Sequence, residues 1–112
     1  MASKVFFTDF RTTHDQSLTV KLKKLIRRAG IDSIDFEGKF VAIKMHFGEP
    51  GNLAFLRPNY ARAVVDVVKE QGGKPFLTDC NTLYPGRRKN ALEHLYAAAE
   101  NGFNYITCDC PV

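Results

Sequence analysis

The stretch that decides the fold is FVAIKMHFGEPGN, residues 40–52. A mostly apolar run, residues 40–47, passes directly into a loop rich in glycine and proline. An apolar run of this length is typical of a strand covered on both faces, as in the middle of a parallel sheet. Its period of two places Lys44 and His46 on one face near the carboxyl end of the strand. Open α/β sheets bind ligands at the carboxyl ends of their strands, so this stretch predicts a ligand site.

The rest of the chain alternates predicted strands and helices around this run. The predicted strands are Lys4–Phe10, the central run, Lys74–Thr78 and Tyr105–Cys108, and predicted helices end at Ala29, Gln71 and Glu100. This order predicts an α/β fold with three layers: a mostly parallel four-stranded sheet, right-handed crossovers and helices on both faces. Residues 1–112 are expected to form a single α/β domain. Because no covering helix follows the last predicted strand, we expect this domain to be the N-terminal part of a longer protein.

Capping residues and apolar stripes define the predicted helices more closely. Thr13 with Gln16, or Asp15 alone, is suited to cap the first helix, and Pro58 is suited to the first turn of the second. Asn90 and Glu93 have the spacing of a capping box at the start of the third helix. The third helix is expected to bury its apolar residues, which are Leu92, Leu95, Ala98 and Ala99.

The composition favours a protein of the cytoplasm. With 112 residues, 45% of them hydrophobic, the chain can build one core. It has no run of roughly 18 apolar residues that would span a membrane, and no signal peptide. Three cysteines at irregular spacing do not indicate a disulfide framework.

The formal net charge of +4 is concentrated in the first helix. Its basic residues face away from its apolar stripe, and they are Lys21, Lys23, Lys24, Arg27 and Arg28. A solvated outer face is the expected role, and contact with an anionic partner is the alternative. Binding to nucleic acid is not expected, since the interleaved aromatic and basic residues of single-strand binders are absent.

Polar residues cluster after the predicted strands, at the rim where parallel strands end. Lys44 and His46 are candidate catalytic groups, because burial of both would lower their pKa towards neutrality and suit them to proton transfer. His46 could equally be a hydrogen-bonded residue at a strand end. The candidate ligand-binding residues are Glu49, Asn52, Asp79, Asn81, Thr82, Tyr84, Arg87 and Arg88.

Arg87 and Arg88 precede a predicted helix, where the helix dipole and the guanidinium groups favour an anion. The alternative is that both are simply solvated. The GEPGN loop is neither a Walker A loop nor a dinucleotide fingerprint, so it does not indicate ATP or NAD. His94, on the third helix, is expected to be exposed or packed.

The segment Cys108-Asp109-Cys110 resembles half of a thiolate metal site, which Cys80 and His46 could complete. Buried free thiols are the simpler interpretation. No metal site is therefore predicted within the chain, and whether the three cysteines bind metal stays open.

Four segments resemble the domain of unknown function 362 family, and they are VAIKMHFGEPGN, Arg57-Pro58, TDCNTLYPGRRKNALEH and the later NGF. The resemblance extends from about Lys4 to Val112. The residues that match the two loop signatures are Lys44, His46, Gly48, Glu49, Gly51, Asn52, Asp79, Asn81, Thr82, Tyr84, Gly86 and Arg87.

This resemblance implies an iron–sulfur-associated protein, whose longer relatives carry a ferredoxin-like segment with grouped cysteines. Those cysteines are absent here, so a 4Fe-4S cluster is expected downstream and none within these residues. The family is also distantly similar to the N-terminal domain of nickel-pincer lactate racemase, which would imply an organic-acid site.

The leading hypothesis is redox-linked binding of a small anionic ligand at the rim, with Arg87 as an anion clamp and His46 and Lys44 handling protons. The alternative is a non-catalytic scaffold that docks a downstream ferredoxin-like domain of the same chain.

Overall fold

Two parallel strands form the sheet in the computed structural model, which describes residues 1–112. Strand β1 is Phe40–Lys44 and strand β2 is Lys74–Thr78, with Phe40 opposite Lys74 and Lys44 opposite Thr78. The connection between them carries helix α2, Pro58–Glu70. The other elements are α1 (Leu18–Arg28), a 3-10 turn (Ile31–Ser33), α3 (Ala91–Glu100) and α4 (Tyr105–Cys108). The α/β class is confirmed, and both strands at the centre of the prediction are present.

The prediction of four strands is wrong for the first and the last of them. Lys4–Phe10 joins no sheet, because strand propensity gives no strand without a partner to pair with. Tyr105–Cys108 is a helix despite its β-favouring residues. The Asn104 side chain accepts hydrogen bonds from the N–H groups of Ile106 and Thr107, and Thr107 Oγ1 accepts from Asn104 N–H, which forms a capping box.

Only one face of the sheet is covered, so the predicted layers on both faces are absent. Along β1, Val41 and Ile43 are half-buried, whereas Phe40, Ala42 and Lys44 are exposed. Helices α2 and α4 and the end of α3 supply the covering side chains. The core cluster consists of Phe47, Ala61, Val65, Leu77, Ala98, Phe103, Cys108 and Cys110. The open face therefore carries the residues that β1 delivers to the rim.

Helix α1 begins at a different cap from the predicted one. Ser17 is its N-cap and accepts a hydrogen bond from Val20 N–H. Thr13 and Gln16 instead pair with each other through their backbones in an isolated bridge. Helix α2 begins as predicted, with Pro58 in its first turn.

The basic side of α1 is only partly solvated, which corrects the prediction for three of its residues. Lys21 binds Asp9, Lys23 binds Asp66 and Arg27 binds Glu70. Because Asp66 and Glu70 belong to α2, these ion pairs join the two helices, and much of the charge that would attract nucleic acid is compensated within the chain.

Helix α3 begins at Asn90 as predicted, but it is rotated about its axis from the predicted orientation. Asn90 Oδ1 accepts from Glu93 N–H, whereas the buried side of the helix is formed by His94, Ala97 and Ala98. Of the four expected core residues, Ala98 is buried as predicted, whereas Leu92 and Leu95 are 74% and 51% exposed and Ala99 is also exposed. Small alanines pack closely against the aromatic core, and the larger residues face outwards. None of the helices combines the length and the apolar composition that a lipid bilayer crossing requires.

Candidate functional site

Asp79 is the centre of the rim, immediately after β2, and its side chain is 4% exposed. Its Oδ1 accepts from Lys44 Nζ and from its neighbour's backbone N–H, Cys80 N, both at 2.8 Å. Its Oδ2 lies 3.2 Å from Phe47 N and from His94 Nε2, and 3.4 Å from an Arg88 nitrogen. Burial raises the pKa of Asp79, but the Lys44 bond and the two backbone bonds outweigh burial and lower it to about 2. Asp79 is therefore a carboxylate that joins both strand ends.

Arg88 fastens the loop after β1 to the loop after β2. Its side chain is 3% exposed, and it donates to Glu49 Oε2 at 2.7 Å, to the Tyr84 hydroxyl at 2.6 Å and to Asp79. Burial lowers the pKa of Arg88, but the hydrogen bond to Glu49 and the nearby Tyr84 and Asp79 outweigh burial, so the pKa is raised overall. The same ion pair lowers the pKa of Glu49. Arg88 thus holds the two loops together. The interpretation of Arg88 as a solvated side chain is therefore wrong.

Arg87 is bound by a carboxylate of α3. Its two terminal nitrogens lie 2.6 Å and 2.8 Å from the carboxylate oxygens of Glu100, and its backbone N–H donates to Glu49 Oε1. A bidentate ion pair of this kind occupies the paired N–H donors with which a guanidinium group binds an anion. Arg87 can therefore clamp a ligand only after it releases Glu100.

Lys44 ends β1 on the open face of the sheet, whereas His46 lies two residues beyond the strand, so the predicted strand to residue 47 is too long. Both are exposed, so the expected burial of the pair is wrong. The bond to Asp79 instead raises the pKa of Lys44 and keeps the ammonium charged. His46 Nδ1 accepts from Gly48 N–H at 3.0 Å, which leaves Nε2 available to solvent or to a ligand.

Three other candidate residues shape the loops. Asn52 Oδ1 accepts from Ala54 N–H in an Asx turn, and the Thr82 hydroxyl donates to the Tyr84 carbonyl. Tyr84 itself accepts from Arg88. These contacts give the side chains local structural partners within the loops.

His94 belongs to the rim although the sequence did not place it there. Its ring is nearly buried and lies with Nε2 towards Asp79 and Nδ1 2.9 Å from Asn81 Oδ1. One signal was available in the sequence. His94 is one helical turn after Asn90, so it lies on the side of α3 that faces the loop before the helix. It also lines a pocket of about 210 Å³ together with Asp79 and Asn81.

The cysteines do not form a cluster site. Cys80 is exposed at the rim, whereas Cys108 and Cys110 are buried in the core, where burial raises the pKa of Cys110. No three His, Cys, Asp or Glu side chains converge in a way that could hold a metal ion. The residues present therefore do not fit an iron–sulfur cluster, which needs a set of thiolate ligands.

The family model for "Domain of unknown function (DUF362)" matches residues 41–112, well over half of the chain. The chain belongs to this family. No curated protein and no solved structure matches it. The match includes β2, all of β1 except Phe40, and every candidate residue of the rim.

Proposed function

We propose that this member of the DUF362 family binds a small anionic ligand at the C-terminal rim of its sheet, with Lys44 as the residue that contacts the anion. The observation that carries the proposal is the environment of the Lys44 ammonium group. It is anchored to a buried carboxylate, yet the side chain is 55% exposed.

Lys44 has hydrogen-bonding capacity left for a ligand. An ammonium group has three donors, and Lys44 uses two of them, one on Asp79 Oδ1 at 2.8 Å and one on the Met45 carbonyl at a long 3.4 Å. The two rim arginines, by contrast, are held by carboxylates of the chain. Lys44 is therefore the rim cation that an incoming phosphate or carboxylate reaches without breaking a strong ion pair.

His46 is the second group of the proposed site. Its Nδ1 is fixed by the Gly48 N–H, so its Nε2 is the ring atom that can exchange a proton or a hydrogen bond with the ligand. Lys44 would supply the charge and His46 the proton-handling group. This assignment keeps the predicted pair and replaces Arg87 as the anion contact.

An NMR titration tests the proposal, with inorganic phosphate and lactate as probes. We expect saturable shifts of the amide signals of Lys44, His46 and Cys80, and their loss in Lys44→Met. Lys39→Met is the matched control, because Lys39 lies just before the other end of β1, is 58% exposed and also pairs with an aspartate. Absence of saturable shifts for both probes, or equal shifts in the two variants, would refute the proposal.

The link to redox chemistry is part of the proposal and rests on the family resemblance. A 4Fe-4S cluster would reside outside these residues, on another segment or on a partner protein. The chain would then present the bound ligand, and its own residues would position the ligand and handle protons.

A second candidate function is a docking scaffold for an iron–sulfur module, favoured by the apolar outer side of α3. Leu92 and Tyr96 are 74% and 68% exposed there. A purified ferredoxin with a paramagnetic cluster is the probe, and broadening of α3 amide signals is expected.

Leu92→Ser should reduce that broadening, whereas Leu53→Ser is the control, since Leu53 is 85% exposed in the loop after β1. Broadening that is absent, or uniform over the protein, would contradict the scaffold.

A further inference from the structure

A pocket of about 210 Å³ lies on the helix-covered side of Asp79, away from the exposed Lys44. Its apolar wall includes Phe47, Leu77 and Leu95. Its polar side is formed by Asp79, Asn81 and His94. At about 30 Å³ for each water molecule, the pocket has room for about seven non-hydrogen atoms. Its lining suits a small molecule with one polar end and one aliphatic end.

His94 supplies the polar end with a directed donor. Its Nε2 lies 3.2 Å from Asp79 Oδ2 and its Nδ1 lies 2.9 Å from Asn81 Oδ1. Both oxygens accept hydrogen bonds, which is the arrangement that a doubly protonated imidazolium makes. A rotated Asn81 amide would donate to Nδ1 of the neutral ring instead. The first arrangement presents an Nδ1–H donor that an anionic oxygen can accept in place of the Asn81 oxygen, and Asp79 fixes the ring through Nε2.

Asn81 is the partner that a ligand can replace. It is exposed, and its side chain is bonded to His94 alone. Asp79, in contrast, has five donors and is nearly buried. The carboxamide oxygen of Asn81 therefore occupies the place at Nδ1 that an oxygen of a bound ligand would take.

The charges around the pocket favour a carboxylate as that ligand. Lys44 and Arg88 compensate the charge of Asp79. Ala91, the first residue of α3, also lines the pocket, so the positive end of the helix dipole adds to the donor of His94. We infer that the pocket binds a short aliphatic carboxylic acid, whose carboxylate replaces the Asn81 amide at Nδ1 of His94 and whose chain lies against Leu77 and Leu95. This site goes beyond the proposed anion site, since the two lie on opposite oxygens of Asp79.

The test uses pentanoate as the probe and pentanamide as its neutral match of equal size. We expect pentanoate to shift the signals of His94, Leu95 and Val112 in a saturable titration, and pentanamide to bind at least about tenfold more weakly. Asn81→Ala should tighten pentanoate binding by about two- to tenfold, the range of one net hydrogen bond, because it removes the competing amide. His94→Gln should weaken it by about tenfold or more.

The outcomes separate this inference from the proposed function. Equal binding of the acid and the amide, weaker binding by Asn81→Ala, or pentanoate shifts centred on Lys44 would each overturn the inference. Asn81→Ala changes an exposed residue, so it remains informative if His94→Gln does not fold. Phosphate or lactate shifts at Lys44 without pentanoate shifts at His94 would refute the inference alone. Pentanoate shifts at His94 without phosphate or lactate shifts at Lys44 would refute the proposed function alone.

Discussion

Replacing Arg88 with methionine should destabilise the protein far more than the same change at its neighbour Arg87. The two arginines are adjacent in sequence and each pairs with a glutamate, but Arg88 is 3% exposed and Arg87 is 43% exposed. Methionine keeps much of the aliphatic volume and removes the charge. The pair of variants therefore separates burial from charge.

The size of the effect follows from what Arg88→Met leaves behind. The Tyr84 hydroxyl loses its donor, and Glu49 and Asp79 lose a buried cation. Removing one partner of a buried ion pair costs about 3–5 kcal/mol. Asp79 keeps Lys44, His94 and two backbone donors, so we expect the lower end, about 3 kcal/mol.

Urea unfolding followed by circular dichroism measures this difference. With a slope of about 2 kcal/mol per molar urea, a loss of about 3 kcal/mol moves the midpoint down by roughly 1.5 M. Arg87→Met should shift the midpoint much less, because exposed ion pairs are screened by solvent. Equal shifts for the two variants would show that the buried network does not hold the rim together.

Three further experiments test the rim and the core beneath it. Gly48→Ala should destabilise more than Gly51→Ala, because both glycines have positive φ, costing roughly 1–2 kcal/mol, but only at Gly48 would the new methyl lie 2.6 Å from neighbouring side chains; equal urea midpoints would contradict this. The pKa of Asp79 is lowered from 3.8 to about 2, so its stabilisation is present above about pH 4 and is lost as the pH falls through 2. Asp79→Asn should therefore flatten this part of the stability profile, and an unchanged profile would be evidence against it. Cys80 should react with a thiol reagent in the native protein, whereas the two buried cysteines should react only in denaturant; rapid modification of all three would count against the core placement.

The sequence predicted the two strands and the rim because their signals are local. The apolar run ending in GEPGN and the segment KPFLT each combine strand-forming residues with a turn, and they pair as parallel neighbours. The positions of Lys44 and Asp79 follow directly, since the carboxyl ends of parallel strands meet at one edge. Pairing partners elsewhere cannot be derived in this way. Lys4–Phe10 has the composition of a strand but no neighbour in the sheet.

The rotation of α3 shows why His94 was missed. Apolar periodicity predicted that Leu92 and Leu95 would face the core, whereas the side that packs is the one with His94, Ala97 and Asn101. Polar contacts hold this orientation: His94 bonds to Asp79, and Asn101 Nδ2 donates to the Phe47 and Gly48 carbonyls. These hydrogen bonds and the packing of Ala97 and Ala98 together accompany the observed orientation, and hydrophobic pattern alone contains no information about the polar contacts.

The two carboxylate oxygens of Asp79 contact side chains on opposite sides of the rim. Lys44, on the open face, binds Oδ1, and His94, on the buried side of α3, lies against Oδ2. A ligand oxygen that accepts from Lys44 shares the cation with Asp79 and leaves more negative charge at the carboxylate that faces His94. The reverse holds for a ligand that binds His94. Because both contacts are made to one buried carboxylate, we expect a ligand at the proposed anion site to influence binding in the acid pocket without backbone movement and without contact between the two ligands.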